Sequence, residues 1–415
     1  MSAPYLNAPV LPVDVAFGLL ADYDADQDAR KVSLIAGAYR DENGLPWILP
    51  SVKQAKERIA ADPRSHHEYL GIAGSPVFLE TARSLVFGAE LAESQNIASI
   101  QAVSGTGANH LGASFLAKHL KPRHVFIPDP TWVNHKTVWA VAGPDVIRKE
   151  YPYYDPETRS IRFADMVSTL ETDAQPNDVV ILQACAHNPT GLDLNRDQWK
   201  QLADAVLKRK LFVLFDSAYQ GFATGNVEDD AWSVRYFTER LLSSQDPDQR
   251  IPGLCVAQSF SKNFGLYGER VGALHVVAPS DVSIQGANSQ LSLIARGEYS
   301  NPPRFGAQIV ETVLTDPRLR HQWQQDLNTM SSRIKSMRTQ LRTRLQDLAT
   351  PGDWSHIESQ IGMFSYTGLS KEHVSRLTEE YHIYLMPSGR ASLCGLNEGN
   401  VDYVARCISE VVKAT

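Results

Sequence analysis

The chain has 415 residues, of which 43% are hydrophobic and 21% charged, and its formal net charge at pH 7 is −7. These proportions are typical of a globular protein with a large core, and they exclude a disordered, collagen-like or low-complexity chain. Because non-specific nucleic-acid binding needs a basic surface, the acidic balance argues against a nucleic-acid-binding protein.

The cysteines and the N-terminal composition bear on the compartment. The chain has four cysteines and no C-x-x-C pair, so the sequence predicts neither a zinc site nor a redox motif. No Lys or Arg precedes Arg30, whereas secretory and mitochondrial leaders carry basic residues. No apolar run approaches the roughly 20 residues of a membrane span. We therefore expect a cytoplasmic protein without a metal site or a membrane partner.

The chain opens with a proline-rich stretch and then alternates strands with helices. Prolines at positions 4, 9 and 12 exclude a regular helix in residues 1–13, which we expect to form an extended arm. A helical pattern covers residues 196–208. Apolar runs without polar alternation, typical of parallel strands covered on both faces, occupy residues 124–128, 178–185, 211–216, 254–260 and 271–277. This alternation predicts an α/β fold.

A different pattern begins at Trp323. Apolar residues recur there every three or four positions as far as Leu348, which predicts one long helix with a narrow apolar stripe. The basic residues of this segment are Arg333, Lys335, Arg338, Arg342 and Arg344. We expect them on a solvated face rather than at a nucleic-acid or membrane surface. We interpret the helix as the connection between the sheet domain and a smaller C-terminal domain.

Lys262 is the first residue whose surroundings suggest chemistry. It lies in a turn rich in Ser, Asn and Gly just after the 254–260 strand, and Arg270 follows eight residues later. A lone loop lysine is usually a solvated charge, but a neighbouring arginine lowers its pKa and frees the amine for Schiff-base formation. Arg270 is also suited to bind a phosphate through two hydrogen bonds.

Three further segments each allow an ordinary and a functional interpretation. The run 104–108 (SGTGA) precedes a helix expected over 108–119, and it is either a plain helix start or a phosphate-binding turn. Asp216, with Tyr219 nearby, is either a helix N-cap or a buried anion that pairs with a cofactor cation. Asn188 is either part of a turn or an amide held at the edge of the sheet.

These signals share one location, since each follows a predicted strand or begins a helix. Open α/β sheets bind their ligands at that edge. A reactive lysine, a phosphate-binding turn and an aspartate for a ring nitrogen together indicate pyridoxal phosphate.

Longer motifs around the same residues resemble those of the aspartate aminotransferases, in the same order along the chain. They are Lys31–Arg40, Cys185–Gly191, Asp216–Phe222, Ser259–Gly272, Tyr299–Pro303 and Ser388–Arg390. The resemblance runs nearly end to end and is greatest to fungal cytosolic members. It implies the α/β architecture of pyridoxal-phosphate fold type I, in which helices cover a large domain with a mostly parallel sheet. A smaller α/β domain and a long connecting helix complete that architecture.

The resemblance also implies a role for each matching residue. Lys262 would form an aldimine and move the substrate Cα proton, and Asp216 would pair with the pyridinium nitrogen. Tyr219 and Asn188 would bind the phenolate oxygen, and Trp132 would stack on the ring. The implied phosphate ligands are Ser104, Gly105, Thr106, Ser259, Arg270 and, from the neighbouring subunit, Tyr69. The implied substrate ligands are Gly37, Trp132, Asn188, Arg390 and, across a dimer, Arg296 and Ser300.

By the same resemblance the protein is a homodimer with composite sites, and the arm of residues 1–13 would lie on the partner. Residues 46–309 would form the large cofactor-binding domain, and residues 14–45 with 310–415 the small domain and the long helix. The implied reaction is the reversible ping-pong transfer of the amino group of L-aspartate to 2-oxoglutarate, which gives oxaloacetate and L-glutamate.

The sequence departs from the family at several positions. Gln183 stands where many relatives have a histidine behind Asp216, Ala36 replaces a bulkier residue, and Gly297-Glu298 follow Arg296. These differences leave the substrate range open, including aromatic amino acids and cysteine sulfinate. The alternatives are a broader aspartate/aromatic aminotransferase, a pyridoxal-phosphate-dependent decarboxylase and a non-catalytic binding protein.

Overall fold

A computed structural model of the chain describes residues 8–414. The strands are β1 (Val32–Ser33), β2 (Asn96–Val103), β3 (His124–Asp129), β4 (Ile147–Pro152), β5 (Tyr154–Asp155), β6 (Ser160–Ile161), β7 (Val179–Gln183), β8 (Phe212–Ser217), β9 (Leu254–Ser259), β10 (Val271–Ala278), β11 (Phe364–Tyr366), β12 (Ile383–Tyr384) and β13 (Arg390–Ser392). The helices are α1 (Val15–Ala25), α2 (Pro50–Ala61), α3 (Pro76–Phe87), α4 (Ala89–Ser94), α5 (Ser104–His119), α6 (Asn134–Ala142), α7 (Phe163–Asp173), α8 (Arg196–Arg209), α9 (Val227–Asp230), α10 (Trp232–Leu242), α11 (Gln285–Glu298), α12 (Phe305–Thr315), α13 (Pro317–Asp347), α14 (His356–Ser359), α15 (Lys371–Tyr381) and α16 (Val401–Lys413). Short 3-10 helices cover Pro247–Gln249 and Leu393–Gly395.

The central sheet has seven strands in the order β2-β10-β9-β8-β7-β3-β4. The β3/β4, β3/β7, β7/β8 and β8/β9 pairs are parallel, which confirms the predicted mostly parallel sheet. The prediction was wrong for residues 271–277, because β10 runs antiparallel to both of its neighbours. The reason is the connection from β9, which consists of turns over residues 260–270, whereas a parallel return needs a longer crossover.

Because β10 is reversed, the segment that precedes it lies at the edge of the sheet where the parallel strands end. Since β10 is antiparallel to β2 and β9, its first residue, Val271, lies opposite Val103 at the end of β2. The connection that carries Lys262 and Arg270 therefore lies at the edge where β2, β7, β8 and β9 end.

Both faces of this sheet are covered, as the apolar runs predicted. Alternate residues of β7 and β8 face two different clusters. One cluster contains Val180, Leu182, Val213 and Phe215. The other contains Val179, Ile181, Phe212 and Leu214. A strand buried on both faces has no polar alternation, which explains the sequence pattern.

The long helix α13 confirms the predicted apolar stripe, and it begins at Pro317, before Trp323. Asp316 accepts hydrogen bonds from the backbone amides of Arg318 and Leu319, and a proline is well suited to the first turn of a helix. The stripe is buried from Trp323 to Leu345.

The expected solvated face is wrong for Arg338, which is only 2% exposed. Its guanidinium donates to the backbone carbonyls of Ile357 (2.8 Å), Gly362 (2.9 Å) and Phe364 (2.6 Å). This cation is buried because it faces three carbonyls of residues 357–364, and buried carbonyls need a donor.

The two ends of the described chain meet in a small parallel pair, since Val32 and Ser33 of β1 lie opposite Ile383 and Tyr384 of β12. Residues 1–7 of the predicted arm lie outside the described residues, and residues 8–13 form neither helix nor strand. Of the helices in residues 8–414, none combines the length and the apolar character that a membrane crossing requires.

Candidate active site

One cavity lies at the edge where the parallel strands end. Ten of the sequence-predicted residues line it, namely Ser104, Gly105, Thr106, Trp132, Asn188, Asp216, Tyr219, Ser259, Lys262 and Arg270. The remaining lining residues are Gln183, Ala218, Ser261 and Tyr267. The topology thus brings together residues that are far apart in the sequence.

The start of α5 forms an anion-binding corner of this cavity. The helix begins at Ser104 rather than at the expected residue 108, and no side chain caps its first turn. The early start is possible because a Cβ on Gly105 would lie 2.9 Å from the Cβ of Ser259, so that only glycine allows this approach to β9. Uncapped amides, the Ser104 hydroxyl and the nearby Arg270 guanidinium suit a phosphate group.

Lys262 lines the same cavity. Its Nζ is 5.5 Å from the centre of the Tyr219 ring. Burial lowers the pKa of this lysine, Arg270 lowers it further, and Asp216 opposes the shift. The sequence predicted that the pKa of Lys262 is lowered and that Arg270 contributes, but burial is the larger cause of the shift. A lowered pKa favours the neutral amine, which is the form that acts as nucleophile and base.

Asp216 is a buried strand residue at the end of β8, so its interpretation as a helix N-cap is wrong. His135 Nε2 lies 3.0 Å from Asp216 Oδ2, and Thr131 Oγ1 lies 2.8 Å from His135 Nδ1. Sequence reasoning missed His135, although a histidine three positions after Trp132 at a helix start was an available signal. Thr131, Ser261 and Tyr267 were also not predicted from the sequence. The phenol oxygen of Tyr267 accepts a hydrogen bond from the backbone amide of Tyr39 (2.9 Å).

Gln183 is paired with Asp216 in the register of β7 and β8, so the two residues are neighbours across the strands. Its side-chain amide contacts the backbone of Asn188, and the place next to the Asp216 carboxylate is taken by His135. Gln183 reaches Asn188 because the loop after β7 turns back over the end of its own strand.

Arg390 and Gly37 both approach the ring of Phe364. The Arg390 guanidinium is 4.3 Å from the centre of the Phe364 ring, and a Cβ on Gly37 would come within 2.8 Å of that ring. Arg390 donates to the carbonyl of Ile35 (3.0 Å), and its buried Nε has no hydrogen-bond partner among the described residues. Its charge also favours ionisation of Tyr219, although burial raises the pKa of that phenol.

The remaining predicted residues do not line this cavity. Tyr69 is 87% exposed, and the exposed Arg296 donates to the Ser300 hydroxyl. The resemblance places Tyr69 and Arg296 in the site of a neighbouring subunit, so their distance from this cavity does not contradict the prediction.

The cavity residues fit pyridoxal phosphate, since an anion-binding helix start, a lysine with a lowered pKa and a buried carboxylate share one edge. The glycine at position 105 keeps the phosphate corner open, because a side chain there would meet Ser259.

Comparisons with known proteins agree with this geometry. The chain is 48% identical over 407 residues to the L-tyrosine:2-oxoglutarate aminotransferase ucdG of Aspergillus ustus, which covers 96% of this chain and 76% of that protein. The structure of aspartate aminotransferase from Saccharomyces cerevisiae cytoplasm matches with a TM-score of 0.94 and 44% identity, covering 99% of this chain and 98% of that one. The aromatic-amino-acid aminotransferase from Burkholderia pseudomallei, covalently bound to pyridoxal phosphate, matches with a TM-score of 0.91 and 39% identity, over 99% and 100% of the two chains. A family model described as aminotransferase class I and II matches residues 29–408. The chain belongs to this family.

Proposed function

We propose that the chain catalyses the reversible transfer of the amino group of L-aspartate to 2-oxoglutarate, which gives oxaloacetate and L-glutamate, with pyridoxal phosphate as cofactor. The observation that carries the proposal is the single cavity in which a buried lysine, an anion-binding helix start and a buried carboxylate meet beside Arg390. The bound cofactor supplies an electron sink for the electrons of the substrate Cα–H bond.

The cofactor-binding residues divide into three groups. Ser104, Gly105, Thr106, Ser259 and Arg270 would hold the phosphate, as the uncapped start of α5 supports. Asp216 would accept a hydrogen bond from the protonated ring nitrogen and keep it protonated, Tyr219 and Asn188 would bind the ring oxygen, and Trp132 would cover the ring face. Each of these side chains lines the same cavity, so none has to move far to reach the ring.

Lys262 is the proposed general base and acid. Its buried amine, with a lowered pKa, would take the proton from the substrate Cα and deliver it to the reacting carbon of the cofactor. Replacement Lys262→Ala is expected to abolish turnover while the chain still folds. Undiminished turnover by this variant would refute the proposal.

The substrate carboxylates need two cationic partners. Arg390 would bind the α-carboxylate together with Asn188, Trp132 and the backbone at Gly37, and its buried, unpartnered Nε supports that role. Arg296 and Ser300 would bind the second carboxylate in the site of a partner subunit, and Tyr69 would reach the partner's phosphate. The assembly we propose is therefore a homodimer.

The substrate range is the point on which the relatives differ. The named activities include aspartate and L-tyrosine aminotransferases, so a broader aspartate/aromatic enzyme is the second candidate. In the composite site of the proposed dimer, a substrate without a second carboxylate would leave Arg296 buried without an anionic partner, which costs about 1–3 kcal/mol. We expect kcat/KM with 2-oxoglutarate to be at least about tenfold higher for aspartate and glutamate than for phenylalanine and tyrosine. Equal values for aspartate and phenylalanine would establish the second candidate.

Composite sites have a direct test, because defects on two subunits can complement. Mixed dimers of Lys262→Ala and Arg296→Leu chains would contain one intact site if Arg296 serves the partner's lysine. We expect such mixtures to regain activity that neither variant has alone. No recovery, in dimers shown to have exchanged subunits, would place Arg296 in the site of its own chain.

Domain organisation follows as part of the same proposal. The pairing of β1 with β12 supports a small domain made of residues 14–45 and 310–415, with 46–309 as the large domain. We propose that the small domain closes on substrate, because Arg390 and Gly37 belong to it and the lysine does not. An unmoved small domain in a dicarboxylate-bound structure would refute closure. The cytoplasm is the proposed location, in line with the yeast relative.

A further inference from the structure

Gln183 holds the backbone of Asn188 from both sides. Its Oε1 accepts from the Asn188 N–H (2.8 Å), and its Nε2 donates to the Asn188 carbonyl (2.9 Å). Both residues line the cavity, and both are buried. The contact fixes the backbone from which the Asn188 amide projects, so it fixes the position of that amide.

The same glutamine also begins a chain of hydrogen bonds that ends at Asp216. Gln183 Nε2 lies 3.4 Å from Thr131 Oγ1, and Thr131 Oγ1 lies 2.8 Å from His135 Nδ1. His135 Nε2 lies 3.0 Å from Asp216 Oδ2. Three side chains therefore connect the residue proposed for the ring oxygen with the residue proposed for the ring nitrogen.

The donor directions along this chain follow from its two ends. The Asn188 N–H can only donate, so the glutamine oxygen must face it and the glutamine nitrogen must face Thr131. A carboxylate can only accept, so the proton between His135 and Asp216 is carried by His135 Nε2. The Thr131 hydroxyl accepts from the glutamine nitrogen and has one proton of its own, which suits a His135 Nδ1 that carries none.

We propose that Gln183 is a positioning residue that holds Asn188 and, through Thr131, keeps His135 neutral with its proton directed at Asp216. The proposal rests on the proposed function only in taking Asn188 and Asp216 as cofactor ligands. Asp216 on β8 and His187 in the loop after β7 are titratable groups that face His135, and burial lowers the pKa of His187.

The nearly isosteric replacement Gln183→Glu tests the direction of the chain. The new side chain presents an acceptor where the amide nitrogen donated, so the Thr131 proton turns toward it and His135 Nδ1 loses its donor. We expect His135 to bind a second proton and its titration midpoint to rise by about 1 pH unit or more. The measurement is nitrogen NMR of the substrate-free holoenzyme labelled with ¹⁵N-histidine, and the His135 signals are those that vanish in His135→Asn.

Two results would overturn the proposal. A proton on Nδ1 of His135 in the unsubstituted protein contradicts the deduced direction, and so does an unchanged His135 titration in Gln183→Glu. The control Gln360→Glu alters another buried glutamine, one that bonds Ser365 and Tyr366, and it is expected to leave the His135 signals unchanged.

Gln183→Met tests the hold on Asn188, because it removes both bonds and keeps the side-chain length. A loosened Asn188 amide stabilises the ionised ring oxygen less, so the pH midpoint of the cofactor absorption change is expected to rise by roughly 0.5 pH unit or more. An unchanged midpoint, with Gln360→Met as the matched control, would refute this part. Neither readout requires turnover, so both stand even if aspartate proves not to be the substrate.

Discussion

Arg338 anchors three backbone carbonyls, so its replacement by methionine is the most direct test of the packing around the site. Methionine has a similar length and no donors, and it would leave the carbonyls of Ile357, Gly362 and Phe364 without their partner. Each unpaired buried acceptor costs about 1–3 kcal/mol. The cost is partly offset because the buried charge also disappears, and burial lowers the Arg338 pKa to about 10. We expect a net loss of about 3 kcal/mol in the free energy of unfolding.

The same substitution is expected to affect substrate binding. Arg338 fixes the carbonyl of Phe364, whose ring lies 4.3 Å from the Arg390 guanidinium. A shifted ring would move Arg390, so KM for aspartate should rise more than kcat falls. An unchanged KM would show that the Phe364 ring keeps its place without Arg338.

Urea unfolding of the cofactor-loaded protein measures the stability change. Protein and cofactor concentrations must be equal for all variants, since both shift the midpoint. Arg344→Met is the matched control on the same helix, because Arg344 is paired with Asp402 at the surface. Exposed ion pairs contribute about 1 kcal/mol or less. Equal unfolding midpoints for the two variants would refute the reasoning.

Two further predictions concern the phosphate corner and a buried carboxyl. Gly105→Ala places a methyl 2.9 Å from the Ser259 Cβ, so pyridoxal phosphate should bind about tenfold more weakly or worse. The control is Gly268→Ala, whose added methyl meets no atom of the described residues within 4 Å and should not change the Kd for the cofactor. Equal Kd values for the two variants would contradict this prediction. Burial raises the pKa of Asp230 from 3.8 to about 7, although its carboxylate accepts from the Gly221 amide. The folded state binds the Asp230 proton more tightly than the unfolded chain does. The contribution of Asp230 to the free energy of unfolding should therefore be highest below pH 3.8 and decrease as the pH rises toward about 7. Asp230→Asn should flatten that part of the unfolding profile, and an unchanged slope would assign it to another group.

The position of the site was predictable because it depends on where strands end. Apolar runs mark the strands, and parallel strands all end at one edge of the sheet. Asn188, Asp216 and Lys262, which follow three such strands, could therefore be placed together. The direction of β10 was not predictable from its residues, because a strand buried on both faces has the same composition in either direction. Its short connection to β9 was the available signal.

The partners of the site residues were the harder part. His135 contacts Asp216 across 81 positions of sequence, and Gln183 contacts Asn188 through the backbone, which leaves no side-chain pattern. Arg338 was predicted on a solvated face because the chain is acidic overall and the basic residues of a helix usually face solvent, but helix periodicity does not reveal which of them packs against residues 357–364. In each case the decisive partner is a backbone group or a distant residue.

Arg338 also shows that donor geometry, and not charge alone, determines such contacts. The guanidinium is planar, and its Nη1 and Nη2 reach carbonyls from three residues of one segment. A lysine would keep the positive charge but place all its donors on one atom, which cannot meet three carbonyls at those positions. Arg338→Lys is therefore expected to unfold at a urea concentration between those of Arg338→Met and the unsubstituted protein. Full recovery by lysine would mean that the buried positive charge, rather than the fork of donors, stabilises residues 357–364.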